Sequence, residues 1–142
     1  DATLFNFMID RAATFQLTEY TKGSYLPLAT ANETILEEEI GHKNFGEACL
    51  EGMCTDPEAR AEIQRRFKKW LVASIRIFGR PGTSGNQYCL KVGLKTRDSG
   101  DVAAAYLDSI RPVMARCHLR FPQRNELPIE LPPQVDLSTP GS

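Results

Sequence analysis

The chain reads Glu-Glu-Glu-Ile-Gly-His over residues 37–42, and this stretch decides how the rest of the sequence is interpreted. Glu39 and His42 are three positions apart. In a helix, side chains at that spacing leave the same face, with Cβ atoms about 5–6 Å apart. A carboxylate and an imidazole held in this way can bind one metal ion together. The stretch therefore predicts a helix that carries part of a metal site.

The same spacing has a second interpretation that involves no metal. In an exposed acidic turn, Glu38 or Glu39 pairs with a solvated His42 or with Lys43. Spacing alone favours this interpretation, so the metal hypothesis needs a further ligand.

Asp10 is the further ligand that the sequence offers. It lies in the preceding predicted helix, and an antiparallel neighbour could bring it opposite Glu39. A carboxylate on one helix that faces Glu-x-x-His on the next is one half of a carboxylate-bridged binuclear site. Two alternatives remain open: Asp10 forms an ion pair with Arg11 or with another surface cation, or Glu19 supplies the carboxylate. Glu47 and Glu51 are predicted to be solvated.

On both sides of this stretch, hydrophobic residues recur with the period of an α-helix, which predicts an all-α protein. Five helices are expected, over about 3–20, 27–50, 55–78, 86–95 and 102–117. Thr55 is the expected cap of the third helix. The expected inner face of the second helix consists of Ile35, Glu39, His42, Gly46, Cys49 and Met53. Close approach of another helix or a ligand would explain Gly41 and Gly46, which weaken a helix by about 1 kcal/mol each relative to Ala.

Beyond Phe121 the helical period is lost and prolines become frequent. Proline fixes φ and lacks an amide hydrogen, so regular helix is not expected there. We predict a helical domain over 1–121 and an extended, Pro-rich tail over 122–142 that lies on the bundle or on a partner. The prolines concerned are Pro122, Pro128, Pro132, Pro133 and Pro140.

Composition excludes several classes of function. Of the 142 residues, 42% are hydrophobic and 25% charged, and the net charge of −1 predicts no nucleic acid and no anionic membrane as partner. There is no signal peptide and no apolar run of about 18 residues, so no membrane span is expected. The four cysteines form no Cys-x-x-Cys motif, which indicates buried free thiols and a cytoplasmic location. The chain begins at Asp1 within a predicted helix, which indicates a fragment or a processed chain.

These features together resemble a known family. They are Asp10-x-Ala12-Ala13, Glu38-Glu39-x-x-His42, Trp70 through Phe78-Gly79-x-Pro81, Asn86, and Leu119 to Pro122. In order and separation, they resemble the C-terminal half of the catalytic subunit of phenylacetyl-CoA epoxidase, over about residues 1–122. That family consists of ring-hydroxylating monooxygenases of the ferritin-like di-iron class.

The resemblance implies a fold, a reaction and a set of partners. It implies a ferritin-like helical bundle around two irons and epoxidation of an aromatic acyl-CoA. Manganese is an alternative metal, because it also accepts Glu and His ligands. Electrons would come from a separate flavin and iron–sulfur reductase. Glu39 and His42 match the second pair of iron ligands. Asp10 matches an active-site acid that either binds iron or relays protons.

One departure from the family pattern is large, since the chain contains no second Glu-x-x-His motif. The other half of the site would come from a missing N-terminal segment, a related oxygenase subunit or a homodimer mate. An isologous dimer would supply four carboxylates and two imidazoles, which equals the set of ligands in a di-iron bundle. The rival hypothesis is a non-catalytic, ferritin-like scaffold subunit that binds a partner oxygenase chain.

Overall fold

The structure is a computed structural model, and it describes residues 1–22, 26–79, 84–93 and 97–138. Side chains at 20, 21, 26–34, 36, 37, 39, 85 and 86 lie outside this description. Every regular element within the described residues is helical, which confirms the predicted all-α fold. The elements are α1 (Ala2–Leu4), a π-helical segment (Phe5–Ile9), α2 (Asp10–Thr21), α3 (Leu26–Met53), α4 (Pro57–Arg76), α5 (Ser84–Lys91), α6 (Ser99–Cys117) and a 3-10 turn (Arg124–Glu126). None of the described helices is both long and apolar enough to span a bilayer.

Side-chain caps set the starts of α4 and α6. Asp56 accepts a hydrogen bond from the backbone amide of Ala59 at 3.3 Å, so Asp56 caps α4. The prediction that Thr55 caps this helix was wrong, because the Thr55 hydroxyl donates instead to the carbonyl of Gly52 at 2.7 Å. Asp98 caps α6 by accepting from the amide of Gly100 at 2.8 Å. Each such cap satisfies a backbone donor that the helix itself leaves unpaired.

Two long helices, α4 and α6, supply most of the core. Their apolar positions recur every three or four residues, and most of these positions are buried. Tyr106 of α6 is fully buried and packs against Phe78 and Phe15, with ring centroids 5.4 and 6.2 Å away. Buried members of the two stripes include Ile63, Phe67, Leu71, Val102, Tyr106, Ile110, Val113, Met114 and Cys117.

The buried side of α3 differs from the expected one. Ile35 and Met53 are 45% and 43% exposed, and His42 is also exposed. Gly46, which was predicted to face inward, and Leu50, which was not, are both buried, because the π-helical segment and α2 pack along their side of α3. The predicted inner face was therefore wrong at Ile35, His42 and Met53.

Gly46 marks the closest approach between α3 and the opening helix. A Cβ atom added there would lie 2.5 Å from the backbone nitrogen of Phe7 and 2.6 Å from the carbonyl carbon of Asn6. The prediction that close packing explains this glycine is confirmed. No described element of the chain explains Gly41 in this way, since a Cβ atom there would meet nothing within 4 Å.

The segment after Phe121 lies against the helices rather than extending away from them. Leu127, Leu131 and Val135 are buried. The guanidinium of Arg111 donates to the backbone carbonyls of Asp136 and Ser138. This segment contains no regular helix within its described part apart from the short turn Arg124–Glu126.

Candidate metal centre

A π-helical turn immediately precedes Asp10. Such turns are rare, occur as single insertions in α-helices and are frequent at functional sites. The turn is stabilised from α6, because the buried hydroxyl of Tyr106 donates to the carbonyl of Met8 at 3.2 Å. Sequence analysis missed it, since Phe5–Ile9 contains neither Gly nor Pro to signal an irregular helix.

Asp10 and His42 lie side by side across the interface between α2 and α3. The distance from Asp10 Oδ2 to His42 Nδ1 is 4.0 Å. The Asp10 side chain is 10% exposed and that of His42 is 62% exposed. The pair therefore consists of a buried carboxylate beneath an imidazole that faces outward.

The spacing of these two atoms is compatible with a shared metal ion. Carboxylate oxygens and imidazole nitrogens bind transition metals at about 2.0–2.2 Å, so two donor atoms of one ion lie at most about 4.2 Å apart. The observed 4.0 Å falls inside that limit.

Glu39, the third predicted ligand, lies in α3 three residues before His42, but its side chain is outside the described residues. Within the described side chains, no group of three or more His, Cys, Asp and Glu residues is placed to hold a metal ion. Asp10 and His42 are therefore a pair of candidate donors, too few by themselves to form a metal site among the described side chains.

A charged network lies directly behind the pair. Arg11, whose side chain is 6% exposed, forms an ion pair with Glu47 of α3 and lies over the ring of Phe7 at 5.1 Å. Glu47 also contacts Arg116 at 3.2 Å, and Arg116 contacts Glu51 at 2.6 Å. The prediction that Glu47 is solvated was therefore wrong, because it pairs with a buried guanidinium. Glu51 is 39% exposed and pairs with Arg116 at the surface, which agrees with the prediction that it is solvated.

The ion pairs of this network reduce the number of carboxylates that are free to bind a metal. Both oxygens of Glu47 are engaged by guanidinium groups, one by Arg11 and the other by Arg116. The ion pair suggested between Arg11 and Asp10 is not the one that the structure shows, since Arg11 pairs with Glu47. Partial burial and the charge of Arg11 also lower the pKa of Lys43, which follows His42 in the chain.

The alternative carboxylate, Glu19, is occupied in another way. Its side chain is 1% exposed and lies 3.0 Å from the Nε of Arg97 and 3.9 Å from the Nζ of Lys22. A buried carboxylate is stable when cations compensate its charge. These ion pairs favour a structural role for Glu19 and leave Asp10 as the carboxylate beside His42.

We expect Tyr106→Phe to lower the free energy of unfolding by about 1 kcal/mol, because the buried Met8 carbonyl loses a hydrogen-bond donor. Urea unfolding measures this change. Tyr88→Phe is the matched control, since Tyr88 is 62% exposed and its substitution should leave the midpoint unchanged. Equal effects of the two substitutions would contradict a role for Tyr106 in holding the π-helical turn.

Comparison with protein families gives an independent result. A search of curated proteins found no match to this sequence. A family model described as phenylacetic acid catabolic protein matches residues 1–130, which is most of the chain and includes Asp10, Glu39 and His42. The chain therefore belongs to the family of phenylacetic acid catabolic proteins.

Proposed function

We propose that this chain is a subunit, or part of one, of a di-iron monooxygenase that epoxidises an aromatic acyl-CoA such as phenylacetyl-CoA in the cytoplasm. One observation carries the proposal: the buried Asp10 carboxylate lies 4.0 Å from the imidazole of His42, between two helices of a phenylacetic acid catabolic protein.

Each of the three residues has a stated role in this proposal. Asp10, Glu39 and His42 would hold iron, with manganese as the alternative. Bound there, a di-iron centre supplies the activation of dioxygen that epoxidation of an aromatic ring requires. Asp10 contributes a buried carboxylate that either binds the metal or accepts and returns a proton at Oδ2.

The remaining ligands would come from a second half-site. The exposed ring of His42 leaves room for further donors on the outer side of α3. An isologous dimer, a related oxygenase subunit or a preceding segment of the same polypeptide could supply them. A dimer would bring two copies of each residue and complete a six-ligand set. A flavin and iron–sulfur reductase would deliver the electrons.

Iron loading under anaerobic conditions, followed by metal analysis, tests this proposal. We expect about one iron per chain in the assembled species and a near-ultraviolet band after oxidation. Glu39→Gln and His42→Ala should reduce the iron content to near zero. Glu38→Gln and His118→Ala are the matched controls, because each removes the same type of side chain at another site and should leave iron content unchanged.

Asp10→Asn separates the two roles of Asp10. Loss of iron would identify Asp10 as a ligand, whereas retained iron with lost turnover would identify it as a proton relay. A protein that stays metal-free in every assembled form after loading would contradict the proposed function.

A non-catalytic scaffold is the second candidate, and the exposed ring of Phe45 on α3 favours it. Phe45, Ile35 and Ile40 are 63%, 45% and 39% exposed, but their five-residue spacing places them on different faces of the helix, so Phe45, the most exposed, is the residue to test. Under this hypothesis, a partner oxygenase chain covers Phe45. Phe45→Ser should then weaken association with the partner while His42→Ala leaves it intact, and the reverse result would contradict the scaffold.

A further inference from the structure

One arginine is buried directly beside the proposed metal site. The side chain of Arg11 is 6% exposed, and Arg11 follows Asp10 in α2. Arginine is almost never buried to this extent unless its charge is paired. The Nη2 of Arg11 donates to Glu47 of α3, but its Nε has no hydrogen-bond partner within the part of the chain that the structure describes. The proposed metal site uses neither Arg11 nor Glu47, so this burial needs a separate explanation.

Stability alone does not explain the burial of Arg11. A buried ion pair stabilises a fold only weakly, because both charges lose their hydration, and apolar side chains of similar volume often replace such a pair without loss. A buried donor that lacks a partner adds to the cost. The position of this arginine is therefore better explained by what it holds in place than by the stability that it adds.

The Arg11 side chain contacts three elements besides its own helix. Its guanidinium pairs with Glu47 of α3 and lies over the ring of Phe7 in the π-helical segment, 5.1 Å from the ring centroid. Its Nη1 donates long hydrogen bonds, at 3.4 Å, to the carbonyl and the hydroxyl of Ser109 in α6. The Ser109 hydroxyl donates in turn to the carbonyl of Tyr106 at 2.6 Å. One buried cation thus joins α2 to α3, to α6 and to the π-helical segment.

Asp10 and Arg11 meet α3 at two different heights. Asp10 lies beside His42, whereas Arg11 pairs with Glu47, five residues further along α3. Five residues correspond to about 7.5 Å along an α-helix. Two contacts made by consecutive residues, and separated by this distance, restrict both the rotation of α2 about its axis and its translation along α3. The Arg11–Glu47 pair therefore restricts where the Asp10 carboxylate lies relative to His42.

We propose that Arg11 is a positioning residue, which holds the Asp10 carboxylate at the distance from the His42 imidazole at which one metal ion can bind both side chains. Arg11 acts through the backbone that it shares with Asp10 and through Glu47, which lies on the same helix as His42. This inference rests on the proposed function, because it gives Arg11 a role toward the same metal site.

The charge of Arg11 gives the test a clear sign. A cation near a metal site repels the metal ion, so removal of Arg11 would strengthen metal binding if charge were the only effect. The Glu47 carboxylate, with one of its two cations removed, would act in the same direction. Loss of position acts in the opposite direction, since donor atoms that are no longer held within reach of one ion bind it more weakly. Weaker binding after removal of Arg11 is therefore not an effect of its charge.

Arg11→Met tests the inference, because Met is apolar and Glu47 keeps its contact with Arg116. The measurement is the dissociation constant of Co²⁺, an ion that also binds carboxylate and imidazole, from its visible absorption on titration. Removal of a group that orients metal ligands typically weakens binding 10–100-fold, so we expect an increase of about 10–100-fold in this constant. Equal or tighter Co²⁺ binding in folded Arg11→Met would overturn the inference.

Arg116→Met is the matched control. It makes the same substitution at the guanidinium that contacts the other oxygen of Glu47, and Arg116 is 53% exposed. Its Co²⁺ dissociation constant should equal that of the wild type, and a loss as large as in Arg11→Met would overturn the inference. Should Arg11→Met be unfolded, the double variant Arg11→Met with Glu47→Ala takes its place, because it leaves neither charge of the pair unpaired.

Crystal structures of the metal-free wild type and variant give a measurement that does not depend on metal binding. The distance from Asp10 Oδ2 to His42 Nδ1 is 4.0 Å, and in the variant it should exceed the limit of about 4.2 Å that one ion can span. If the wild type binds no metal, the proposed function fails and this distance alone decides the inference. A distance in the variant no longer than in the wild type would overturn the role of Arg11.

Discussion

Gly46→Ala is expected to lower the free energy of unfolding by about 2–3 kcal/mol, which is the usual cost of forcing extra atoms into a packed interface. The new methyl group would lie 2.5 Å from the backbone nitrogen of Phe7. Backbone atoms cannot rotate away as a flexible side chain can, so α3 and the π-helical segment must separate. Urea unfolding measures the loss.

The separation should also reach the proposed metal site. Asp10 directly follows the π-helical segment, and His42 lies one helical turn before Gly46 on α3. Moving the two elements apart increases the distance between the Asp10 carboxylate and the His42 imidazole. We therefore expect Gly46→Ala to reduce the iron content of loaded protein under conditions where it remains folded.

Gly41→Ala is the matched control on the same helix. Nothing lies within 4 Å of its added methyl group, so only the helix propensity changes. Alanine should raise the free energy of unfolding by about 0.5–1 kcal/mol. The two glycine-to-alanine substitutions should thus change the free energy of unfolding in opposite directions. A loss of stability in both variants would contradict the close approach at Gly46.

The order and type of the helices could be predicted because their signals are local. Stripes such as Ile63, Phe67 and Leu71 on α4, or Tyr106 and Ile110 on α6, repeat at the helical period and are buried together. The signals for helix caps are also local. At the start of α4, however, the neighbouring residues Thr55 and Asp56 are both good cap residues. Choosing between them requires the backbone conformation, which the sequence does not specify.

The buried side of α3 could not be predicted, since it depends on which elements pack against that helix. Ile35, His42 and Gly46 fit one inner face by spacing, yet packing of α2 and the π-helical segment buries Gly46 and leaves Ile35 and His42 exposed. The π-helical turn was also beyond prediction. It depends on a contact from Tyr106, almost one hundred positions away in the chain, and on no residue type within the turn.

The candidate site was predictable to the extent that it depends on a short motif and a neighbouring helix. Glu-x-x-His indicated the position of His42, and an antiparallel arrangement was expected to bring Asp10 to α3, where it lies beside His42. The pairing of Arg11 with Glu47 was missed. Many acidic residues could have met that arginine, and only the packed arrangement of α2 and α3 selects one.

Glu47→Ala is expected to lower the free energy of unfolding by about 3 kcal/mol, because it leaves the buried guanidinium of Arg11 without its carboxylate. Buried ion pairs can be replaced by apolar groups with little loss, but removal of one partner is costly. The Nε of Arg11 is buried without a hydrogen-bond partner among the described residues. Apart from Glu47, the guanidinium donates only long bonds among those residues, at 3.4 Å, to the carbonyl and the hydroxyl of Ser109, which are neutral and do not compensate its charge.

The double substitution Arg11→Met with Glu47→Ala tests this cause. Removing both charges should recover most of the stability lost in Glu47→Ala, which a double-mutant cycle reports as a coupling energy. Glu62→Ala is the control, since Glu62 pairs with Arg65 and Arg66 in solvent, where ion pairs contribute little. If the double variant were as unstable as the sum of its single changes, lost packing rather than an unpaired buried charge would explain the effect. Arg11 would then stabilise the interface beside Asp10 through its contact with Phe7.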